Sequence, residues 1–310
     1  MKKPTSKIYR TTNWSSYNRA LIKRGNISIW FDPKTQWYAQ PQGKQGRNQT
    51  YSDTAIQCCL MIKSLFRLSL RMVTGFAQSL IKLCGLNWTA PDYSTLCRRQ
   101  KHIDIAISYQ KSRDGLHLLV DSTGLKFLGE GEWKRKKHQP EYRRQWRKLH
   151  IGIDAKTLQI RAIQLTTNNV SDSQVLGDLL NQIPQDEQID SVYTDGAYDT
   201  KQCRQVIADR QAHAVIPPRK NAKPWKDTKS SSLERNELLR TVKHLGRTLW
   251  KKWSGYHRRS LVETKMHCIK LLGDKLMARS FPSQVNEIHA RVAVLNRFTE
   301  LGRPLTRVVP

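Results

Sequence analysis

Three acidic residues lie in segments where a carboxylate predicts chemistry. Asp121 follows the apolar run Leu118-Leu119-Val120, and Asp195 ends a second, alternating apolar segment just before Gly196. Glu263 stands at the head of a segment with helical periodicity. Because burying a carboxylate in a central strand costs free energy, an acid in such a place is expected to have a function.

Three carboxylates packed together repel one another until divalent cations neutralise them. Mg²⁺ and Mn²⁺ prefer oxygen ligands, and a pair of such ions can activate a nucleophile and stabilise the leaving oxygen of a phosphoryl displacement. We therefore predict Asp121, Asp195 and Glu263 as catalytic residues and metal ligands, with two Mg²⁺ or Mn²⁺ ions per active site. The alternative is that both aspartates are solvent-facing acids at strand ends. Asp154, expected at a hairpin end, and Asp199, expected beyond a strand, are second choices as ligands.

The predicted elements around these acids indicate an α/β fold. The sequence predicts strands at 117–123, 149–154 and 160–165, a helix at 171–183, a strand at 189–195, a helix at 200–210, a strand at 212–216 and a later helix. This order is that of a ribonuclease-H-like domain, a mixed five-stranded sheet with helices. There the first and fourth strands bring Asp121 and Asp195 side by side, and the later helix supplies Glu263. We predict this catalytic domain over 106–300, with a tail at 301–310.

Composition narrows the class of partner. The 310 residues carry 54 Lys and Arg against 25 Asp and Glu, a formal net charge of +29. Such a charge exceeds what solubility requires and predicts a polyanionic partner. No segment reaches the roughly 18 apolar residues of a transmembrane helix, and no signal peptide opens the chain. We therefore expect double-stranded DNA as the partner, no membrane, and a cytoplasmic location. The six cysteines show no zinc-ligand spacing, which argues against a zinc finger.

The first hundred residues divide into two predicted regions. Residues 1–50 are expected to form a basic N-terminal arm, largely extended, that either lies along DNA or is a plain disordered tail. Residues 51–105 are expected to form a helical DNA-binding domain, with Ser52 capping its first helix and a second helix at 70–83. A third helix, at 93–99, carries the candidate DNA-binding residues Ser94, Thr95, Arg98 and Arg99. This pattern favours a small helix-turn-helix-like domain, the alternative being a helical subdomain that packs on the catalytic domain.

Two basic segments lie within the predicted catalytic domain. Between residues 126 and 148, nine Lys or Arg and three Glu are interleaved with aromatic residues, and Arg147 and Lys148 are candidate DNA contacts. Between residues 217 and 259, thirteen Lys or Arg outnumber three acids. We predict at about 217–255 a basic insertion or loop that faces DNA phosphates, the alternative being a solvated surface.

Four segments carry a resemblance to a known family. They are residues 120–126, 146–150, 194–199 and 256–270. In the last of them, the signature Y-x2-R-x3-E-x6-K is matched at every spacing by Tyr256, Arg259, Glu263 and Lys270. The chain resembles bacterial insertion-sequence transposases of the DDE type, in particular the insertion sequence five family, over roughly residues 27 to 295.

The resemblance implies a DNA transposase. Such an enzyme binds the terminal inverted repeats of its insertion sequence, cleaves the ends by metal-dependent hydrolysis to free 3′-hydroxyls, and joins them to target DNA by transesterification. The family's metal ligands correspond to Asp121, Asp195 and Glu263. Because two ends are joined to one target, a homodimer on DNA is expected. Association with the bacterial nucleoid is expected as well.

The spacing of the signature agrees with this assignment. Steps of three, four and seven residues place its four members on one face of a predicted helix. The resemblance implies that Tyr256, Arg259 and Lys270 contact the DNA end from that face. An ordinary amphipathic helix with surface ion pairs is the alternative.

Two other functions compete with transposition. A DNA-binding repressor derived from a transposase would keep the fold and the charge, but the intact acidic triad argues against it. A stand-alone nuclease or junction resolvase would share the carboxylate site. It has less need for the N-terminal region and for the basic insertion.

Overall fold

The computed structural model describes residues 8–32, 34–41, 43, 48–112, 114–129, 137, 145–226 and 229–309. The chain divides into two compact units, one made of Met1–Ser108 with Ala293–Pro310, the other of Tyr109–Val292. Most of the basic segment predicted between residues 126 and 148 lies outside the described residues. The functional boundaries predicted at residues 50, 105 and 300 remain predictions.

The described part of the first unit is mainly helical. Its helices are α1 (Trp14–Arg24), α2 (Asp53–Phe66), α3 (Leu70–Leu83) and α4 (Tyr93–Arg99). The strand β1 (Ile8–Thr11) pairs antiparallel with the last strand of the chain, Thr306–Val309.

None of the helices in the described ranges of the whole chain combines the length and the apolar character needed to cross a membrane.

Side chains that cap helices set where α2, α3 and α4 begin. Ser52, Ser69 and Asp92 each accept a hydrogen bond from a backbone N–H of the first turn that follows. Such caps satisfy donors that have no partner inside the helix. The cap at Ser52 and the helices predicted at 70–83 and 93–99 are confirmed.

Part of the predicted arm packs into the first unit. Residues 14–24 form α1, and the side chains of Trp30, Phe31 and Trp37 are buried. The Trp37 ring stacks on that of Trp88 with 4.9 Å between the centroids. The expectation of a largely extended arm is wrong for these residues, because single aromatic side chains provide the burial and leave no periodic signal.

A mixed sheet forms the centre of the second unit. Its strands are β2 (Leu116–Phe127), β3 (Arg147–Asp154), β4 (Ile160–Thr167), β5 (Ile189–Tyr193), β6 (His213–Val215) and β7 (Lys275–Leu276). Five follow the order β4-β3-β2-β5-β6, with β2 antiparallel to β3 and parallel to β5. This sheet agrees with the predicted ribonuclease-H-like arrangement. The added β7, which pairs with the far end of β2, is too short to leave a sequence signal.

One face of the sheet carries the main core of this unit. Leu116, Leu118 and Val120 alternate along β2 and cluster with apolar residues of α5 (Asp172–Asn181) and α6 (Lys201–Asp209). Because side chains alternate across a strand, the odd-numbered residues of β2, among them Asp121, lie on the opposite face.

The predicted basic loop is largely helical. The helices α7 (Ser230–Leu245) and α8 (Arg247–Trp253) occupy most of the predicted insertion, so only the loop form of the prediction is wrong, and its role in facing DNA phosphates stays a prediction. The abundance of basic residues conceals a helical pattern in which Arg235, Leu239 and Trp250 are buried. Two further helices follow, α9 (Ser260–Leu271) and α10 (Phe281–Leu301).

The signature segment also departs from the prediction. Tyr256–Arg259 forms a 3₁₀ helix, and α9 begins only at Ser260. A 3₁₀ helix has about three residues per turn, so residues in it do not continue the spacing of an α-helix. The prediction that the four signature residues share one face of a single helix is therefore corrected.

A buried ion cluster ties α7 to the segment after β5. Asp199 accepts a hydrogen bond from Arg204 Nε at 3.0 Å and one from Arg235 Nη2 at 3.1 Å. All three side chains are almost fully buried. Arg235 also donates to the carbonyl oxygen of Lys223, and its guanidinium lies 4.4 Å from the centroid of the Trp225 ring. This Asp199 cluster holds the helical part of the insertion to the sheet.

We expect Asp199→Asn to lower the free energy of unfolding by about 3–5 kcal/mol, because two buried guanidinium groups lose their counter-charge. The measurement is denaturant-induced unfolding followed by circular dichroism. Asp209→Asn, at an exposed acid of α6, is the matched control and should leave the midpoint unchanged. An Asp199 variant that unfolds at the wild-type midpoint would show that the cluster contributes no stability.

Candidate active site

Adjacent parallel strands align two of the predicted acids. In the parallel pairing of β2 with β5, Leu119 lies opposite Tyr193. Asp121 and Asp195 each follow two residues later. Because β5 ends at Tyr193, Asp195 lies in the loop just beyond the last paired residue, at the end of β5 that faces the Asp121 part of β2.

The surroundings of Asp121 oppose its ionisation. Partial burial is the main cause of a pKa above the usual value of an aspartate, and the negative charge of Asp195 adds to the shift. The backbone N–H of Ser122 and the guanidinium of Arg259 act in the opposite direction. The electrostatic influence of Asp195 on Asp121 indicates that the two acids lie in the same region of the site.

The loop that carries Asp195 is held from two sides. Asp195 caps a 3₁₀ helix, Gly196–Tyr198, by accepting the N–H of Ala197 at 2.9 Å. Arg219 donates to the carbonyl oxygens of Gly196 at 3.2 Å and Ala197 at 3.0 Å. A Cβ at Gly196 would come within 3.3 Å of the carbonyl oxygen of Pro217, so a larger residue has little room. The first residues of the insertion thus fix the position of this loop.

Arg259 connects the first and the third predicted acid. Its Nη1 donates to Asp121 Oδ2, and its Nη2 donates to Glu263 Oε1 at 2.6 Å. The side chains of Arg259 and Asp121 are 19% and 15% exposed, whereas that of Glu263 is 56% exposed. We call the three residues in this arrangement the carboxylate bridge. It places one positive charge between two of the three acids.

The remaining signature residues also approach β2 and its neighbours. Lys270 Nζ donates to Thr123 Oγ1 at 2.8 Å. Tyr256 is buried beside Trp250, with 5.7 Å between the ring centroids, and its ring centroid lies 5.9 Å from the guanidinium carbon of Arg259. The signature residues converge on the strand of Asp121, although they belong to two different helical segments.

The two basic residues predicted to bind DNA from β3 have partners inside the unit. Arg147 donates to Gln284 Oε1 at 2.8 Å, and its guanidinium lies 4.4 Å from the centroid of the Phe127 ring. Lys148 donates to the carbonyl oxygen of Val170 at 3.0 Å and also forms an ion pair with an acid of α5. These contacts hold β3 against neighbouring segments. A role in DNA binding remains a prediction for both residues.

The two rival acids are engaged in structural contacts. Asp154 closes the turn after β3 by accepting the N–H of Lys156 and the hydroxyl of Thr157, both at 2.8 Å. Asp199 belongs to the buried cluster with two arginines. Both therefore remain second choices as metal ligands.

The candidate DNA-binding residues of α4 differ in their surroundings. Arg98 is exposed and Thr95 is half-buried, whereas the Ser94 hydroxyl donates to the carboxylate that caps the helix, at 2.5 Å. Arg99 forms an ion pair with Asp53 and thereby links α4 to the start of α2. Arg98 is therefore the more accessible of the two arginines.

A polar cluster beside Asp121 was not predicted from the sequence. Asp172, at the start of α5, accepts hydrogen bonds from Ser122 Oγ and Lys148 Nζ, both at 2.8 Å. Partial burial by itself raises the pKa of Asp172, but these two hydrogen bonds bring it below the usual value. Nearby, burial lowers the pKa of His150 to about 4, so the ring is neutral at pH 7. An acid in a first helical turn looks like an ordinary helix start, so the sequence carries no signal for this contact.

The donor atoms suit a divalent cation, but they do not form a ready site. Among the described residues, no three His, Cys, Asp or Glu side chains are close enough to share one metal ion. The negative charge of Asp195 acts on Asp121 and raises its pKa. The buried hydroxyl of Tyr198 lies within the influence of both charges and has no hydrogen-bond partner in the described part of the chain. These hard oxygen donors fit Mg²⁺ or Mn²⁺ in chemistry, while Glu263 is bonded to Arg259 instead.

Comparison with known protein families agrees with this geometry. Two family models, each described as a transposase DDE domain, match residues 22–130 and residues 112–297. The second match covers more than half of the chain and includes Asp121, Asp195 and Glu263. The chain belongs to the DDE transposase family, whose members cut and move DNA.

Proposed function

We propose that this transposase binds the terminal inverted repeats of its own insertion sequence, cleaves the element ends by metal-dependent hydrolysis and joins the freed 3′-hydroxyls to target DNA by transesterification. The observation that carries the proposal is the parallel pairing of β2 with β5, which brings the loop of Asp195 to the strand of Asp121. Glu263 is linked to the same strand through Arg259. A repressor without chemistry would have no need for this alignment.

We infer that Asp121, Asp195 and Glu263 hold two Mg²⁺ or Mn²⁺ ions. When bound, such ions activate water and stabilise the charge that develops on the leaving oxygen. The chain's own contribution is to present three carboxylates from β2, the loop after β5 and α9, and to supply positive charge for DNA phosphates from Arg259 and Lys270. Because water and then a DNA hydroxyl attack, no side chain has to act as a nucleophile.

The signature supports two finer inferences. The spacing of its four residues supports membership of the insertion sequence five family. An enzyme that acts on chromosomal DNA of a bacterium works in the cytoplasm, so we infer association with the nucleoid. The element ends themselves are identified experimentally, as inverted repeats in the DNA that flanks the gene.

We expect Asp121→Ala, Asp195→Ala and Glu263→Ala each to lower strand cleavage by about 10³-fold or more, because metal-assisted charge stabilisation is worth several kcal/mol. Binding to the same DNA should persist, since the phosphate contacts remain. The measurements are gel assays of cleavage and of binding on a duplex that carries the inverted repeats, with Mg²⁺.

Asp209→Ala is the control for these variants, because it removes an exposed acid outside the site. It should cleave at the wild-type rate. If one of the three site variants keeps near-wild-type cleavage, that residue is not a metal ligand and the triad has to be revised.

We propose that α2, α3 and α4 form a helix-turn-helix-like domain that reads the element ends. Three residues, 67–69, connect α2 to α3, which is the length typical of this motif. The connection from α3 to α4 is longer, 84–92, and departs from it. The proposal therefore depends on the exposed Arg98, which Arg99 positions by linking α4 to α2.

Replacing Arg98 tests whether α4 recognises the base sequence of the element ends. Arg98→Ala in the full chain should weaken binding to the element ends by roughly tenfold or more, the value of one good base contact, and should reduce the preference for these ends over scrambled DNA. Fluorescence anisotropy at fixed salt measures the affinity for an element-end duplex and for a scrambled duplex, and their ratio gives the preference. Lys23→Ala, which removes an exposed charge from α1, should affect both duplexes equally. An equal loss on both duplexes with Arg98→Ala would limit α4 to an electrostatic role.

We propose that the active assembly is a homodimer formed on DNA. Joining two ends to one target requires two active sites, and paired inverted ends match a two-fold arrangement. A net charge of +29 opposes self-association of the free chain, and DNA phosphates neutralise that charge.

Light scattering should therefore give the mass of one chain without DNA and that of two chains with two duplexes when element-end DNA is added. A scrambled duplex of equal length is the control and should not pair the chains specifically. A complex that never brings two ends together, under conditions that support joining, would overturn the dimer.

A further inference from the structure

We infer that Arg259 is a gate on the metal ligands: in the free chain it closes the carboxylate bridge, and a DNA phosphate draws its guanidinium away, which opens Asp121 and Glu263 to metal. The inference rests on the proposed function, because it assumes that these acids bind metal. It adds that metal and DNA bind cooperatively.

The first step is the geometry of the carboxylate bridge. One guanidinium uses two of its nitrogens on two acids, Asp121 of β2 and Glu263 of α9. A charge-assisted hydrogen bond of this kind is among the stronger polar contacts of a protein. Each bonded carboxylate oxygen has to give up that contact, at least in part, before it ligates a cation. Arg259 therefore competes directly with metal for the oxygens of two of the three predicted ligands.

The second step is the charge balance of the site. The side chain of Asp121 is only 15% exposed, so its carboxylate requires a counter-charge. Arg259 supplies one positive charge, and a divalent cation would supply two. The guanidinium and the cation are alternative counter-charges for the same carboxylates, so each weakens the binding of the other.

The third step is the reason why DNA should release the bridge. The planar fork of an arginine binds phosphate as well as it binds carboxylate. Arg259 is 19% exposed, so its guanidinium is accessible to a polyanion at this edge of the site. Lys270 keeps a separate contact with Thr123. A phosphate at this edge therefore attracts the guanidinium without displacing the helix that carries Glu263.

The consequence is a linkage between the two ligands. If DNA favours the open arrangement and metal binds only to it, DNA raises the affinity for metal, and metal raises the affinity for DNA by the same factor. Metal loading is then confined mainly to the DNA-bound protein, which limits cleavage by the free chain.

The experiment measures Mn²⁺ binding by electron paramagnetic resonance on the full chain, with and without a short duplex of arbitrary sequence at low salt. Phosphate contacts are independent of sequence, so the element ends are not needed. Binding of Mn²⁺ to the duplex alone is subtracted. The proteins are wild type, Arg259→Lys, Arg259→Gln and the matched control Arg258→Gln.

Without DNA, both Arg259 variants should bind Mn²⁺ about tenfold more tightly than wild type, as expected when the open arrangement is populated one time in ten. Arg259→Lys is the decisive variant, because lysine keeps the charge but lacks the planar fork that joins two carboxylates. Arg258→Gln removes an equal charge one residue away and should keep the wild-type affinity. The duplex should raise the affinity of wild type and of Arg258→Gln, with little effect on the Arg259 variants.

Equal Mn²⁺ affinities of wild type and both Arg259 variants, or an equal effect of the duplex on all four proteins, would overturn the gate and leave the proposed function intact. The variant Asp121→Asn distinguishes a failure of the gate from a failure of the proposed function. If Mn²⁺ binding with DNA survives in that variant, the metal lies elsewhere, and the proposed function fails together with the gate. Thermal unfolding of each variant verifies that folded proteins are compared.

Discussion

The parallel pairing of β2 with β5 is the constraint on which the site depends. Asp121 and Asp195 lie far apart in the sequence, and the pairing of Leu119 with Tyr193 brings the segments that carry them together. The core fixes this register from the other face, where Leu116, Leu118 and Val120 are fully buried. A slip by one residue would turn these side chains away from the core and Asp121 into it. Apolar burial on one face of the sheet thus provides the free energy that holds two repelling carboxylates together on the other.

Positive charge inside the protein is used to balance its few acids. Arg259 bridges Asp121 and Glu263, and Lys148 pairs with Asp172. Two further arginines surround Asp199 in the interior. The count of 54 Lys and Arg therefore overstates the number of basic side chains available to a DNA partner, because some of them are committed to buried or half-buried acids. A basic side chain that is paired with an acid is less available to DNA than an exposed one such as Arg98, for which a DNA contact is proposed.

Local signals explain which elements were predictable. The bounds of α3 and α4 follow from capping side chains and from helical periodicity, both of which the sequence displays. The apolar patterns that precede Asp121 and Asp195 are equally local, and they made both acids candidates, although β2 continues past Asp121 to Phe127 and β5 ends at Tyr193. The helices α7 and α8 were missed because their buried positions include Arg235, which pairs with a distant acid and gives no apolar signal. Contacts such as Ser122 with Asp172 depend on the packing of a helix on a strand, so periodicity could not reveal them.

The basic insertion contributes to the site through its two ends. At its start, Arg219 holds the loop after Asp195 by two hydrogen bonds to carbonyl oxygens. At its end, Trp250 packs against Tyr256, whose ring lies beside the guanidinium of Arg259. Between them, Arg247 of α8 donates to the carbonyl oxygen of Pro218 at 2.5 Å and ties the two ends to each other. A segment that composition alone describes as a charged surface is therefore also the support of the second acid and of the arginine that bridges the other two.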